Sequence, residues 1–199
     1  MKRFLFGLTC ILLSVHVTAN STAGQEKTTM CVGCHGAQGI SVNPDWPSLA
    51  GQHASYLAKQ LRDYKNATTR NAAIMTPMVA QLTDDDINEI ANYYANLPRV
   101  PEKTTEKKQT RGEEIYRRGD LEKHITACIA CHGPHGTGNA QAGFPGLAGQ
   151  QPAYTVLQLL AFQNKSRSND INSIMRDISK HMSHADMTSV ANYLTGLHE

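Results

Sequence analysis

Two pentapeptides constrain this chain more than anything else in it: Cys31-Val32-Gly33-Cys34-His35 and Cys128-Ile129-Ala130-Cys131-His132. The spacing Cys-x-x-Cys-His is the attachment signature of a c-type haem. Two thiols three positions apart on one helical turn add to the two vinyl groups of a porphyrin, and the adjacent histidine turns a ring nitrogen to the iron. Cys-x-x-Cys by itself also serves redox dithiols and zinc sites. The second copy is what moves the reading to two covalently attached haem c groups, one on Cys31 and Cys34 and one on Cys128 and Cys131, with His35 and His132 as proximal ligands.

The fifth cysteine, Cys10, lies in a segment that reads as an export signal. Lys2 and Arg3 precede a mostly apolar run from Phe4 to Val17, and small residues offer cleavage after Ala19, the preferred site, or after Ala23. An uncleaved anchor is the alternative reading of residues 1–23, but the run is shorter than the roughly 20 residues that span a bilayer. Thr9, Ser14 and His16 also interrupt it. Cleavage leaves four thiols, all inside the two motifs. An exported protein with four free thiols would normally pair them as disulfides, whereas covalent haem consumes every one. Lys and Arg number 19 against 17 Asp and Glu, and loss of Lys2 and Arg3 balances the charge. A balanced chain without a basic patch is no nucleic-acid binder.

Overlaying the motifs exposes a tandem repeat. Cys31 matches Cys128 at an offset of 97, and Pro47-Ser48-Leu49-Ala50-Gly51-Gln52 matches Pro145-Gly146-Leu147-Ala148-Gly149-Gln150 at 98. Ile74-Met75 matches Ile174-Met175 at 100, as does Asp86 through Leu97 with Asp186 through Leu197. Each copy has its motif at the end of a short helix, then a Gly/Pro/Asn-rich loop (36–49 and 133–147) long enough to wrap a porphyrin. The two segments ahead of the motifs need not be equivalent. A helix follows with stripes Tyr56, Leu57, Gln60, Leu61, Tyr64 and Tyr154, Leu157, Leu160, Ala161. The last helix is announced by capping boxes, Thr83 with Asp86 and Ser183 with Asp186. No run alternates at period two for long enough to demand a strand, so the fold class is all-α. The expected units are 24–97 and 111–199, joined by a surface linker, 98–110, that has nothing apolar to bury.

A sixth iron ligand decides whether such a site exchanges electrons only or also binds small molecules. Met75 and Met175 are the distal candidates, because they occupy matching places. Met78 is opposite Ile178, Met182 opposite Leu82 and Met187 opposite Ile87, so none of these recurs as a ligand pair. His53, His135, His181 and His184 have no histidine counterpart and read as surface residues. Pro47 and Pro145 suit a turn whose carbonyl would accept the remaining N–H of a ligating histidine; a turn proline without that role fits the same sequence.

These residues resemble the dihaem cytochrome c4 family over nearly the whole chain after the export segment. The likeness rests on both haem motifs, Pro47 through Gln52, Met75-Thr76 with Leu82-Thr83-Asp84, Gly143 through Gln150, Met175, and Asn192-Tyr193-Leu194. The resemblance implies two class I cytochrome c domains, each wrapped around one covalent haem, in the bacterial periplasm or peripherally at the membrane surface. It implies axial methionines at Met75 and Met175 and carbonyl-donating prolines at Pro47 and Pro145. It also implies a carrier, not an enzyme, and a monomer, moving electrons from quinol:cytochrome c reductase to a terminal oxidase. The first copy departs from the second with Asp45-Trp46 where the second has Gly143-Phe144.

Two rival readings remain. A dihaem peroxidase-like enzyme would need one iron without a strong distal ligand, against which the paired methionines stand. A secreted zinc or dithiol protein would leave the adjacent histidines and the repeated methionines without a use.

Overall fold

The long final helix of each copy begins where a hydroxyl side chain precedes an aspartate by three residues. Thr83 Oγ1 accepts from Asp86 N (3.2 Å) while Asp86 Oδ2 accepts from Thr83 N (2.9 Å). Ser183 and Asp186 do the same at 3.1 and 3.2 Å. Each box satisfies two backbone donors that a helix start would otherwise leave unpaired. The computed structural model describes residues 24–100 and 111–197, so the expected export segment and most of the expected linker lie outside the described residues. The first copy comprises α1 (Thr29–His35), α2 (Ala54–Asn66), α3 (Met75–Val79) and α4 (Asp84–Ala95). The second comprises α5 (Arg111–Arg118), α6 (Ile129–His132), α7 (Pro152–Gln163), a 3₁₀ turn (Ile171–Ser173), α8 (Ile174–Ser179) and α9 (His184–Thr195). Among the described residues there are no strands, only three isolated bridges.

In the first copy α2 packs on α4, burying Leu57, Ile87, Ile90, Ala91 and Tyr94. In the second, α9 packs on α5 and α7, burying Ile115, Tyr116, Leu159, Met182, Met187, Val190 and Leu194. Met182 and Met187 are thus core residues. The α7 stripe differs from the expected one: Leu157 is 46% exposed, while Leu159 and Phe162 are buried. An almost wholly apolar helix offers several stripes at helical spacing. The repeat decides among them, because Leu61 and Tyr64 of α2 align with Leu159 and Phe162.

The segments ahead of the motifs also prove equivalent where they cross the last helix. Gly24 lies against the Glu89 carbonyl and Tyr93, and Gly112 against the Ser189 carbonyl and Tyr193. The second copy then reaches its motif through an added loop, 119–127. At these crossings a Cβ would overlap backbone, which cannot swing aside. Gly112→Ala is therefore expected to destabilise the holoprotein by about 1–3 kcal/mol, the usual cost of overpacking. A denaturant midpoint equal to that of the unmodified protein would show that the crossing is not tight.

Candidate functional site

Each motif closes its helix with the histidine as the last residue, and the chain then turns at a glycine with positive φ, Gly36 at 80° and Gly133 at 77°. That turn sends the following loop back across the imidazole, so that the Pro47 carbonyl oxygen stands 2.8 Å from His35 Nδ1 and the Pro145 carbonyl oxygen 2.9 Å from His132 Nδ1. The carbonyl makes Nδ1 the protonated nitrogen and leaves Nε2 as the one with a lone pair. Both histidines are buried, 6% exposed. Burial lowers their affinity for protons, and the proline carbonyls pull it partly back up.

A single cavity of about 1030 Å³ runs through both copies. Cys31, Cys34, His35 and Met75 border it in the first, and Cys128, Cys131, His132 and Met175 in the second. Met75 opens α3 and Met175 is the second residue of α8, so each sulfur is presented by a short helix. In the first copy Ala72 O accepts from Thr76 N (3.0 Å) and Ala72 N donates to Thr76 Oγ1 (3.2 Å), which starts the turn. Pro77 falls in the first turn, where a missing N–H costs nothing.

The thiols are not those of a reactive dithiol. Burial pushes Cys128 up to about 11 and raises Cys31 as well, whereas catalytic Cys-x-x-Cys thiols are held low. Nor do three His, Cys, Asp or Glu side chains converge among the described residues as a zinc site requires.

Sequence reasoning missed the charge in the cavity wall. Arg70 and Arg167, 4% and 6% exposed, face each other where the copies meet. Arg70 donates to Gln60 Oε1, to Tyr154 OH (2.9 Å) and to Gln158 Oε1 (3.1 Å). Arg167 mirrors it, donating to Gln158 Oε1 (2.8 Å), Tyr56 OH (2.9 Å) and Gln60 Oε1 (3.1 Å). Each guanidinium also lies 4.4 Å from a ring centroid, Tyr64 and Phe162 respectively. Burial alone would push Tyr56 up, but the Arg167 and Arg70 charges outweigh it and hold the phenol below its usual range. These partners are all neutral, and Arg70 Nε is buried with none. A buried charge without a counter-ion is expensive. The wall therefore fits a ligand that brings carboxylates to it, and a porphyrin with propionates does. The signal was available in the repeat, since Tyr56, Gln60 and Arg70 align with Tyr154, Gln158 and Arg167.

The copies also meet through their proline loops. Gln52 Nε2 donates to Gly146 O (2.8 Å) and Gln150 Nε2 to Ser48 O (3.0 Å). Arg99, in the stretch expected to run as surface linker, donates to Gly51 O (2.6 Å) and Gly136 O (3.3 Å), one carbonyl in each copy. His53 is half-buried rather than on the surface, its proton affinity lowered by burial and by the Arg99 charge. His135, His181 and His184 are exposed.

The cytochrome c family model matches residues 21–98 and again 109–198. A cytochrome c4 from Thiocapsa roseopersicina is 41% identical, over 88% of this chain and 91% of its own. A thiosulfate dehydrogenase electron acceptor from Thiomonas intermedia is 36% identical, over 98% of this chain and 90% of its own. Among solved structures, reduced recombinant cytochrome c4 from Pseudomonas stutzeri superposes with a TM-score of 0.83 at 39% identity, covering 89% of this chain and 98% of that one. With two haem-binding copies built on one helical plan and these relatives spanning both, the chain belongs to the cytochrome c4 family and carries two covalently bound haem c groups.

Proposed function

We propose that the protein is an electron carrier of the bacterial periplasm in which each iron is held between an imidazole and a thioether, His35 with Met75 and His132 with Met175. The observation that supports this most directly is the shared cavity, bordered in each half by a complete set of two cysteines, a histidine and a methionine. The bound group supplies a one-electron couple. The chain supplies the rest. Cys31, Cys34, Cys128 and Cys131 tether, and the Pro47 and Pro145 carbonyls orient the imidazoles with Nε2 toward the metal. Arg70 and Arg167 hold the propionates. Met75 and Met175 would offer the iron a soft thioether donor, which would favour the ferrous state relative to a second histidine, and the apolar wall would add to that preference.

The partners that suit such a carrier are quinol:cytochrome c reductase as donor and a terminal oxidase as acceptor, each meeting a monomer transiently through a small interface. The Thiomonas relative favours a second donor, thiosulfate dehydrogenase, for which that protein is named the electron acceptor. Among the described residues no helix is long and apolar enough to cross a membrane.

A pyridine haemochrome assay combined with reductive titration and peroxide challenge tests the reading. The expected result is two thioether-linked haems per chain, one electron taken up by each, and no peroxide turnover. Rapid turnover with one high-spin haem would make the protein a peroxidase instead.

A further inference from the structure

The two proline loops do more than touch. The Pro47 carbonyl that accepts from His35 Nδ1 belongs to the same peptide unit as the Ser48 N–H, and that N–H donates to Gln150 Oε1 of the other half at 2.9 Å. The arrangement is reciprocal: the Pro145 carbonyl accepts from His132 Nδ1, and the Gly146 N–H of the same peptide unit donates to Gln52 Oε1 at 2.9 Å. Each amide is held in that orientation by two further bonds. Gln150 Oε1 accepts from Gln151 N (2.9 Å) and its Nε2 donates to Ser48 O. Gln52 Oε1 accepts from His53 N (3.0 Å) and its Nε2 donates to Gly146 O. With both ends of both amides committed, a flipped side chain would set donor against donor.

We infer that Gln52 and Gln150 are crossed positioning residues, each setting through one peptide unit the electron-donating strength of the histidine in the opposite half. The inference rests on the reading that His35 and His132 hold the irons. A peptide whose N–H is engaged has a more negative carbonyl oxygen, because hydrogen bonds in series polarise one another by about 10–30% each. The more negative carbonyl draws the Nδ1 proton further, the imidazole becomes a stronger donor, and ferric iron is favoured. Gln150 thus lowers the potential of the haem on Cys31 and Cys34, and Gln52 that of the haem on Cys128 and Cys131.

Substitution in one half should therefore be read in the other. Gln150→Met keeps the volume and removes the acceptor. In the holoprotein it should shift the ferric-to-ferrous equilibrium of the first haem toward ferrous by about twofold to fivefold, or about 20–40 mV at 59 mV per tenfold for one electron. The second haem should move much less. Gln52→Met should do the reverse. In the diamagnetic ferrous protein the His35 Nδ1 proton resonance should move upfield in Gln150→Met. In Gln52→Met the His132 Nδ1 proton resonance should move upfield instead. The resonance of the histidine in the mutated half should stay in place in each. Equal shifts at both haems, or a shift confined to the mutated half, would overturn the relay while leaving the axial ligation intact. A ferric spectrum lacking histidine-methionine character in the unmodified protein would overturn the ligation, and the relay with it.

Discussion

Replacing Met175 by alanine is expected to convert the second iron from a closed, low-spin site to an open one. In ferric holoprotein the methionine-to-iron charge-transfer band should fall to half. Cyanide should then bind rapidly at one haem per chain, and the potential of that haem should drop by on the order of 0.1 V, well inside the ~0.8 V that axial ligation commands. The structure makes the second half the cleaner place for the test. One turn beyond Met75, Met78 also borders the cavity and is 38% exposed, so a second thioether stands near the first iron. The equivalent of Met78 is Ile178, which cannot ligate, and Met182, though it also borders the cavity, is packed in the core at 4% exposure. Met75→Ala should accordingly give the full effect only when combined with Met78→Leu. An unchanged ferric spectrum in Met175→Ala would remove methionine from the iron.

The second large effect concerns the arginine pair. Arg70→Met or Arg167→Met leaves a haem propionate at the buried seam without its cation, which should cost about 3–5 kcal/mol of holoprotein stability, as breaking a buried ion pair does. Each substitution also removes two cross-copy bonds, Arg70 to Tyr154 and Gln158 or Arg167 to Tyr56 and Gln60. The arginine bonds to neutral partners have a charged donor and are worth about 1.5–3 kcal/mol each, so their loss alone reaches the same range. Arg70→Lys and Arg167→Lys separate the two accounts, because they keep the cation without the guanidinium fork and should lose much less than the methionine variants. A loss in urea unfolding as large for Arg70→Lys as for Arg70→Met would mean that the guanidiniums stitch the copies together and neutralise nothing.

How far the sequence led, and where it stopped, follows from the range of each interaction. The capping boxes at Thr83 and Ser183 are local, three residues wide, and they stand where the pattern put them. The core faces of α4 and α9 follow from helical spacing in helices with a polar side; α7, apolar nearly all round, misled for want of one. The Arg70 and Arg167 network was out of reach of any window. Both arginines sit in short polar stretches that look like solvent-exposed turns, and their partners in the other copy lie 84 to 111 residues away. What buries them is the pairing of one copy with the other. Gln52 and Gln150 were visible in the repeat as identical residues at matching places, but only the packed halves show that each amide reaches the other's proline loop.

The central claim is that both irons are closed by a protein thioether in the resting ferric state. It is tested most directly by measuring the methionine-to-iron charge-transfer band of the unmodified ferric holoprotein against haem content from the pyridine haemochrome. The account predicts an intensity that accounts for both haems, with no high-spin component. A band that accounts for one haem only, beside a high-spin signal from the other, would contradict it.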